Sequence, residues 1–407
     1  MKEKGFQIID SRKEEIVNIL CSLVSIPAVS PINGGKGEKE KVNFLRKLAE
    51  EAGFDQVKEY VKIDDTGTER PSLVVVKKGK NSSLPKMWVV THVDVVPAGD
   101  LKKWQTEPFE PVVKDGRIYG RGTEDNGQEL VASFYALKVL SELDITPERD
   151  IGLVMAADEE NGSVYGMKYL LNEEKIFSKE DLVVVPDHGN REGTLLEVAE
   201  KSILWLRILT EGRQSHASEP ERGINAFKAA NHYCVEMLQA LKESFPEKNE
   251  LFKPPESTFE PTKKEANVPN INTIPGEDVF YFDCRVLPRY SLHHVLSLFR
   301  KKASEIEKRF GVKIRVDEVQ REEAAPPTSP DAPVIKILKK AVKNVYGVEP
   351  KPGGIGGGTC GAIFRKAGIQ AVVWAKIDDM AHAPNEYCRI ENLIGDTKVY
   401  LDLYTQV

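Results

Sequence analysis

The residues in this sequence best suited to chemistry are two histidines and a set of carboxylates, most of them just past an apolar run. His92 and Asp94 follow Met87-Trp88-Val89-Val90, and the adjacent pair Glu159 and Glu160 follows Ile151 to Ala157. Asp187 follows Leu182 to Val185, and His382 comes after the run Ala371 to Ala375. Asp125 stands in Gly120-Arg121-Gly122-Thr123-Glu124-Asp125, in the loop that opens a helix. Carboxylates converging in one crevice repel one another unless a cation holds them. Mixed His and Asp/Glu donors without thiolate suit catalytic zinc, with cobalt or manganese as substitutes. Five ligands and one spare carboxylate suit two metals that share a bridge. Of two adjacent glutamates, one can bind metal while the other stays free as general base for an attacking water. Two residues apart on a strand, His92 and Asp94 point to the same side. A carboxylate there can orient the ring and fix its tautomer.

The elements that must position these groups are short, continuous apolar runs rich in β-branched residues, which predict buried strands. In an open α/β sheet, sites form outside the carboxyl ends of the strands. Between the strands lie amphipathic stretches: 11–26, with Ser11 as its N-cap, 38–53, closed by Gly53, the segment from Asn126 onward, and 334–346. This alternation predicts an α/β fold, a mainly parallel sheet flanked by helices on both faces. The rhythm changes after about Gly193. A strand at 203–209, the loop Gly212 to Ser218, a helix at 224–241 and a loop rich in Pro, Lys and Glu are followed by strand 278–286, helix 292–310 and strand 312–316. This β-α-β-α-β stretch predicts an inserted α+β domain. The expected division is 1–195 and 321–407 for the catalytic domain, with 196–320 inserted, and 321–333 is read as the linker back.

Composition narrows the function classes. The 407 residues carry a net charge of −6, with 41% hydrophobic and 29% charged residues. That suits a globular chain long enough for two domains, and it makes no electrostatic case for nucleic acid or an anionic membrane. No run reaches the ~18 apolar residues of a membrane span. The five cysteines form no C-x-x-C pair, and Met1-Lys2-Glu3-Lys4 leads to no apolar core of signal-peptide length. The expected location is therefore the cytoplasm. Gly353 to Gly361 contains a formal G-x-G-x-x-G, a poor dinucleotide fingerprint because no clear strand precedes it.

Taken together, His92-Val93-Asp94, Gly120 to Asp125, Asp158-Glu159-Glu160-Asn161-Gly162, Asp187 and His382-Ala383-Pro384-Asn385-Glu386 resemble the co-catalytic zinc family. That family includes aminoacylase, acetylornithine deacetylase, succinyl-diaminopimelate desuccinylase, glutamate carboxypeptidase and cytosolic dipeptidases. The likeness covers nearly the whole chain. It implies one zinc ion on His92, Asp125 and Asp187, and a second on Asp125, Glu160 and His382, with Asp125 as the bridge. It also implies Glu159 as general base, Asp94 as orienter of His92 and a cis peptide at Asp125-Asn126. The inserted segment resembles the family's ferredoxin-like lid and dimerisation domain. There His216 would polarise the scissile carbonyl in a partner subunit, Asn272 would be a second group at that site, and Arg285 would clamp a substrate carboxylate. The glycine loop, with Gly357 and Gly358, would bring backbone to the substrate.

The chain departs from the desuccinylase pattern in two places. Its loop reads Gly357-Gly358-Thr359-Cys360-Gly361, without the usual Asp, and Asp187 stands where Glu is usual. The first points away from diaminopimelate substrates and the second towards the peptidase branches, while the short insertion resembles the deacylase and carboxypeptidase members. The expected activity is hydrolysis of amide bonds in small substrates. A peptidase on short peptides stands first and an N-acyl-amino-acid deacylase second, in a homodimer without nucleic-acid or membrane partners. A catalytically silent metal- or peptide-binding relative is the reading from another class, and the intact Glu159 and ligand set count against it.

Overall fold

A computed structural model describes residues 2–407. The chain divides into two compact units. One comprises residues up to Val198 with Pro327–Gly353 and Thr359–Val407; the other comprises Ala199–Pro326 with Gly354–Gly358.

The larger unit is built on an eight-stranded sheet. Its order is Gln56–Ile63, Glu69–Lys77, Ile151–Ala156, Met87–His92, Leu182–Val185, Ala371–Val373, Leu195–Glu200 and Lys351–Ile355. The four strands from Ile151–Ala156 to Ala371–Val373 run parallel, and antiparallel pairs flank them. Those four are buried along their length, as continuous apolar runs must be when both faces of a sheet are covered. Trp88, Val90, Val154, Ala156, Val183 and Val185 pack on one face against Met167, Leu170 and Phe364. The helices Glu129–Glu142, Pro333–Tyr346 and Ile390–Thr405 pack together, the last making contact with both others. The fold is thus the mixed α/β arrangement expected.

Register puts the site residues level with one another. His92 pairs with Ala156, three residues before Glu159, and Val89 pairs with Val184, three residues before Asp187. Val373 pairs with Val185, so the loop carrying His382 leaves the same end of the sheet.

The smaller unit has a four-stranded antiparallel sheet ordered Thr258–Lys264, Glu277–Val286, Ser202–Glu211 and Lys313–Glu322. Helices Ala226–Ser244 and Leu292–Phe310 cover one face, with Tyr233, Met237, Phe282 and Phe299 in the core. The chain order is β-α-β-β-α-β, the ferredoxin-like pattern. Its second strand, Thr258–Lys264, falls where the sequence reads as a Pro/Lys/Glu loop. It is a largely exposed edge strand with a register shift at Pro261, so it carries no apolar alternation.

Other local expectations also change. The stretch 11–26 is not one helix capped by Ser11. Lys2–Ser11 and Lys13–Val24 are separate helices, and the Ser11 hydroxyl donates back to the carbonyl of Ile8 at 2.9 Å. A strand, Lys351–Ile355, does precede the G-x-G-x-x-G, but it lies at the edge of the sheet. A further small sheet, which the sequence reading does not include, is formed by Val112–Lys114, Arg117–Tyr119 and Tyr387–Arg389. Among the described residues no helix is long and apolar enough to cross a membrane.

Candidate metal centre

The expected ligands meet in an alternating row of imidazoles and carboxylates. His92 Nε2 lies 2.9 Å from Asp125 Oδ1 and 3.3 Å from Asp187 Oδ1. His382 Nε2 lies 3.2 Å from Asp125 Oδ2 and 3.0 Å from Glu160 Oε2. The two oxygens of Asp125 therefore face different imidazoles, which is the placement a bridging carboxylate needs. Two sets of three donors also lie within 4.8 Å of one another, His92/Asp125/Glu160 and His92/Glu159/Asp187. The direct hydrogen bonds sort these more finely: Glu160 pairs with His382, and Glu159 bonds to none of the five.

The electrostatics fit a cation. Burial alone would favour neutral His92, but Asp125, Asp187 and Asp94 outweigh it and raise the imidazole well above its ordinary value. Asp125 and then Glu160 lift His382 to about 10. Burial works against ionised Asp125, yet His382 and His92 hold it far below the usual carboxylate range. The carboxylates thus draw protons onto the rings, and a divalent cation would take the place of those protons. Glu160 is raised by burial against the pull of His382. Glu159 is raised well above its ordinary value by burial and then by the charge of Asp187, the direction that makes a carboxylate a better base.

Each group is positioned by contacts distant in sequence. Glu386 is fully buried, and its Oε1 accepts from the backbone N–H of Glu124 at 3.0 Å and of Asp125 at 3.1 Å. Its Oε2 accepts from Arg121 Nη1 at 2.6 Å and from Gly122 N at 3.0 Å. The strand pair Tyr387↔Tyr119 brings this glutamate to the loop. Glu124 in turn accepts from the N–H of Asp378 at 2.6 Å and of Met380 at 2.9 Å, and Arg121 Nη2 donates to the His382 carbonyl at 3.2 Å. These bonds hold His382 at φ 62°, a left-handed conformation that costs a non-glycine residue about 1–2 kcal/mol. The peptide Asp125-Asn126 is cis, and Asn126 Nδ2 donates to the Pro186 carbonyl, one residue before Asp187, at 2.5 Å.

Asp94 meets the His92 ring through its backbone and not, as expected, through its carboxylate. His92 Nδ1 lies 3.0 Å from the Asp94 backbone carbonyl, and the Asp94 carboxylate is 3.6 Å from that nitrogen. The two carboxylate oxygens accept from the backbone N–H of Glu159 at 3.0 Å and of Glu160 at 3.1 Å, fixing the turn that carries the pair. Behind this turn lies a buried ionic cluster without a sequence signal. Arg70 pairs with Glu38, and its guanidinium lies 3.4 Å from Asp158 and 3.4 Å from Asp64. Cys360, singled out in sequence only as a departure from a motif, lies with its Sγ 3.2 Å from Glu159 Oε1.

The remaining expected residues belong to the smaller unit. His216 is exposed on the two-residue strand Ser215–His216, paired with Thr273–Ile274. The backbone N–H of Ser218 donates to its Nδ1 at 3.2 Å, so a neutral ring carries its proton on Nε2. The carbonyl of exposed Asn272 accepts from the N–H of Ala217 at 2.8 Å. The fork of Arg285 is engaged by Asp283, at 2.7 and 3.0 Å, and its Nη1 donates to the Gly356 carbonyl at 2.9 Å. Gly357 and Gly358 lie in open surroundings: a Cβ on the first would meet nothing within 4 Å, and on the second only Glu322 at 3.9 Å.

The chain is similar to known proteins over nearly its whole length. An uncharacterized metallohydrolase of Methanocaldococcus jannaschii is 40% identical over 407 residues, covering 96% of this chain and 98% of its own. A succinyl-diaminopimelate desuccinylase of a Sulfurovum species is 26% identical over 383 residues, covering 93% of this chain and 95% of its own. The aminopeptidase PepT of Bacillus cereus shares the fold, with a TM-score of 0.77 at 20% identity, covering 97% of this chain and 98% of its own. Residues 88–406 match peptidase family M20/M25/M40, and the chain belongs to that family of metallohydrolases.

Proposed function

We propose that the chain hydrolyses the amide bond of short peptides at a pair of zinc ions, with cobalt or manganese as substitutes. His92, Asp125 and Asp187 would hold one ion and Asp125, Glu160 and His382 the other. The observation that carries this reading is Asp125, whose two oxygens face separate imidazoles while Glu159 stands beside the row unpaired with either ring. When bound, the ions supply Lewis acidity to the scissile carbonyl and make water a stronger acid. Glu159 accepts the proton of the attacking water and delivers it to the leaving amine. Asp94 keeps the Glu159–Glu160 turn in place, and Glu386 keeps Asp125 in place.

His216 donates from Nε2 to the oxyanion, Asn272 is a second group there, and the Gly357-Gly358 backbone lies along the substrate. Arg285 takes a substrate carboxylate in place of Asp283. We assign His216 to the site of a partner chain, so the working form is a homodimer. The five free cysteines support a reducing, cytoplasmic location. The division into a catalytic domain, 1–195 with 321–407, and a lid, 196–320, belongs to the same proposal.

A second reading, an N-acyl-amino-acid deacylase, is favoured by the likeness to a desuccinylase over 93% of the chain. A panel of dipeptides, tripeptides, N-acetyl and N-succinyl amino acids, assayed with metal removed and restored, decides between them. Turnover confined to the acyl compounds would overturn the peptidase. Full turnover after exhaustive chelation would overturn both. For the dimer, inactive His216→Ala and Glu159→Gln chains are mixed. Recovered activity supports a shared site, and no recovery despite proven subunit exchange overturns it.

A further inference from the structure

We propose that Cys360 is a positioning residue for Glu159: its S–H donates to Glu159 Oε1 and leaves the other oxygen to face the attacking water. The inference rests on the reading of Glu159 as general base.

The Sγ–Oε1 distance is 3.2 Å, within hydrogen-bond range for sulfur. Among the described residues no other donor reaches the Glu159 carboxylate. His92 Nε2 is taken by Asp125 and Asp187, and His382 Nε2 by Asp125 and Glu160. Of the other residues lining the small cavity around the contact, Val90, Ala156, Met167 and Val185 offer no side-chain donor, and the Thr91 hydroxyl is spent on the Val154 carbonyl at 2.8 Å. A carboxylate on a short turn rotates readily about its last side-chain bond, a broad and roughly two-fold torsion. One donor on one oxygen selects a single setting of that rotor. General-base catalysis needs such a setting, because the accepting oxygen must sit within hydrogen-bond reach of the water.

The thiol is itself held. It is buried, with 4% exposure, just before the helix Gly361–Lys366, and it packs in the same apolar cluster as Phe364. Ser163 Oγ lies 3.4 Å from Sγ. A thiol has one proton, so with that proton given to Glu159 the serine hydroxyl is the donor in the second contact. Burial and then the charge of Glu159 push the thiol well above its ordinary value, which keeps it protonated and a donor.

The test uses metal-loaded protein. Cys360→Ala should lower kcat about 10-fold by releasing the base from its near-attack setting, with KM and metal content unchanged. Cys360→Ser keeps a donor of similar reach and should recover most of kcat. Unchanged kcat in Cys360→Ala, or a serine variant as slow as the alanine one, overturns the proposal. A second readout needs no turnover. The S–H stretch of Cys360, isolated as the infrared difference between wild type and Cys360→Ser, should lie below that of a free thiol. In Glu159→Ala it should move back towards the free-thiol position. A band indifferent to Glu159→Ala overturns the contact. A wild-type chain inactive on every peptide and N-acyl amino acid would defeat the functional reading, and the S–H band would still decide the contact.

Discussion

Glu386→Gln probes the joint on which the centre depends. The carboxylate accepts four hydrogen bonds in a fully buried position, from the N–H groups of Gly122, Glu124 and Asp125 and from Arg121. An amide has the same shape but only one accepting oxygen. If its NH₂ replaces Oε1, two backbone donors face a donor. If it replaces Oε2, Gly122 N and Arg121 do so, and in either setting the buried Arg121 guanidinium loses its counter-charge. Either way two buried donors are left unpaired, at about 1–3 kcal/mol each. A stability loss of roughly 3–5 kcal/mol follows, the range for breaking one side of a buried ion pair. Urea unfolding followed through the Trp88 and Trp374 fluorescence of the larger unit measures it. The exposed neighbour change Glu391→Gln is the control. In either setting the loop Gly122 to Asp125 loses two of the four bonds that anchor it, Asp125 N among them when the amide replaces Oε1, so metal affinity should also weaken, by about 10–100-fold as for other groups that orient metal ligands. A stability loss below about 1 kcal/mol, or unchanged metal affinity, would refute the assignment of Glu386 as the anchor of the bridging loop.

Glu159→Gln should retain metal and lose about 10²–10⁴-fold in turnover, checked by elemental analysis beside steady-state kinetics; wild-type turnover would place the base elsewhere. Metal affinity measured by titration should fall as pH falls, because the ions must displace protons from His92 and His382. In the metal-free protein the sign reverses. His382 rises from its ordinary 6.5 to about 10, so its contribution to stability is full below the lower value and is lost as pH rises through the higher one. Thermal melts of the apoprotein against pH should show that loss, and an apoprotein that gains stability across the same interval would contradict it. Arg70→Met removes the cation from Glu38 and Asp158, leaving buried charge uncompensated, and should cost roughly 3–5 kcal/mol in the same urea assay.

The parts of this protein legible in sequence are those governed by local burial. A strand covered on both faces must be apolar throughout, so Met87–His92, Ile151–Ala156 and Leu182–Val185 announce themselves, and the polar residues just past them stand out. His92, Glu159, Glu160 and Asp187 are legible on that ground. Spacing along the chain does not say which carboxylate faces which ring, so the expected sharing of the ligands between two ions rests on the family resemblance alone. The edge strands Gln56–Ile63 and Thr258–Lys264 carry no such signal, because an exposed edge needs no apolar pattern.

What only the tertiary structure decided is the set of contacts that hold the ligands. Glu386 reaches Asp125 across 261 residues, and Cys360 reaches Glu159 across 201. Arg70 reaches Glu38 across 32, out of a strand whose sequence gives no sign of a buried charge. Hydrophobic periodicity records how each residue meets solvent or core. A hydrogen bond between two polar side chains leaves no period in either segment, because its partner is chosen by the packing of the sheet and loops and not by the neighbouring residues.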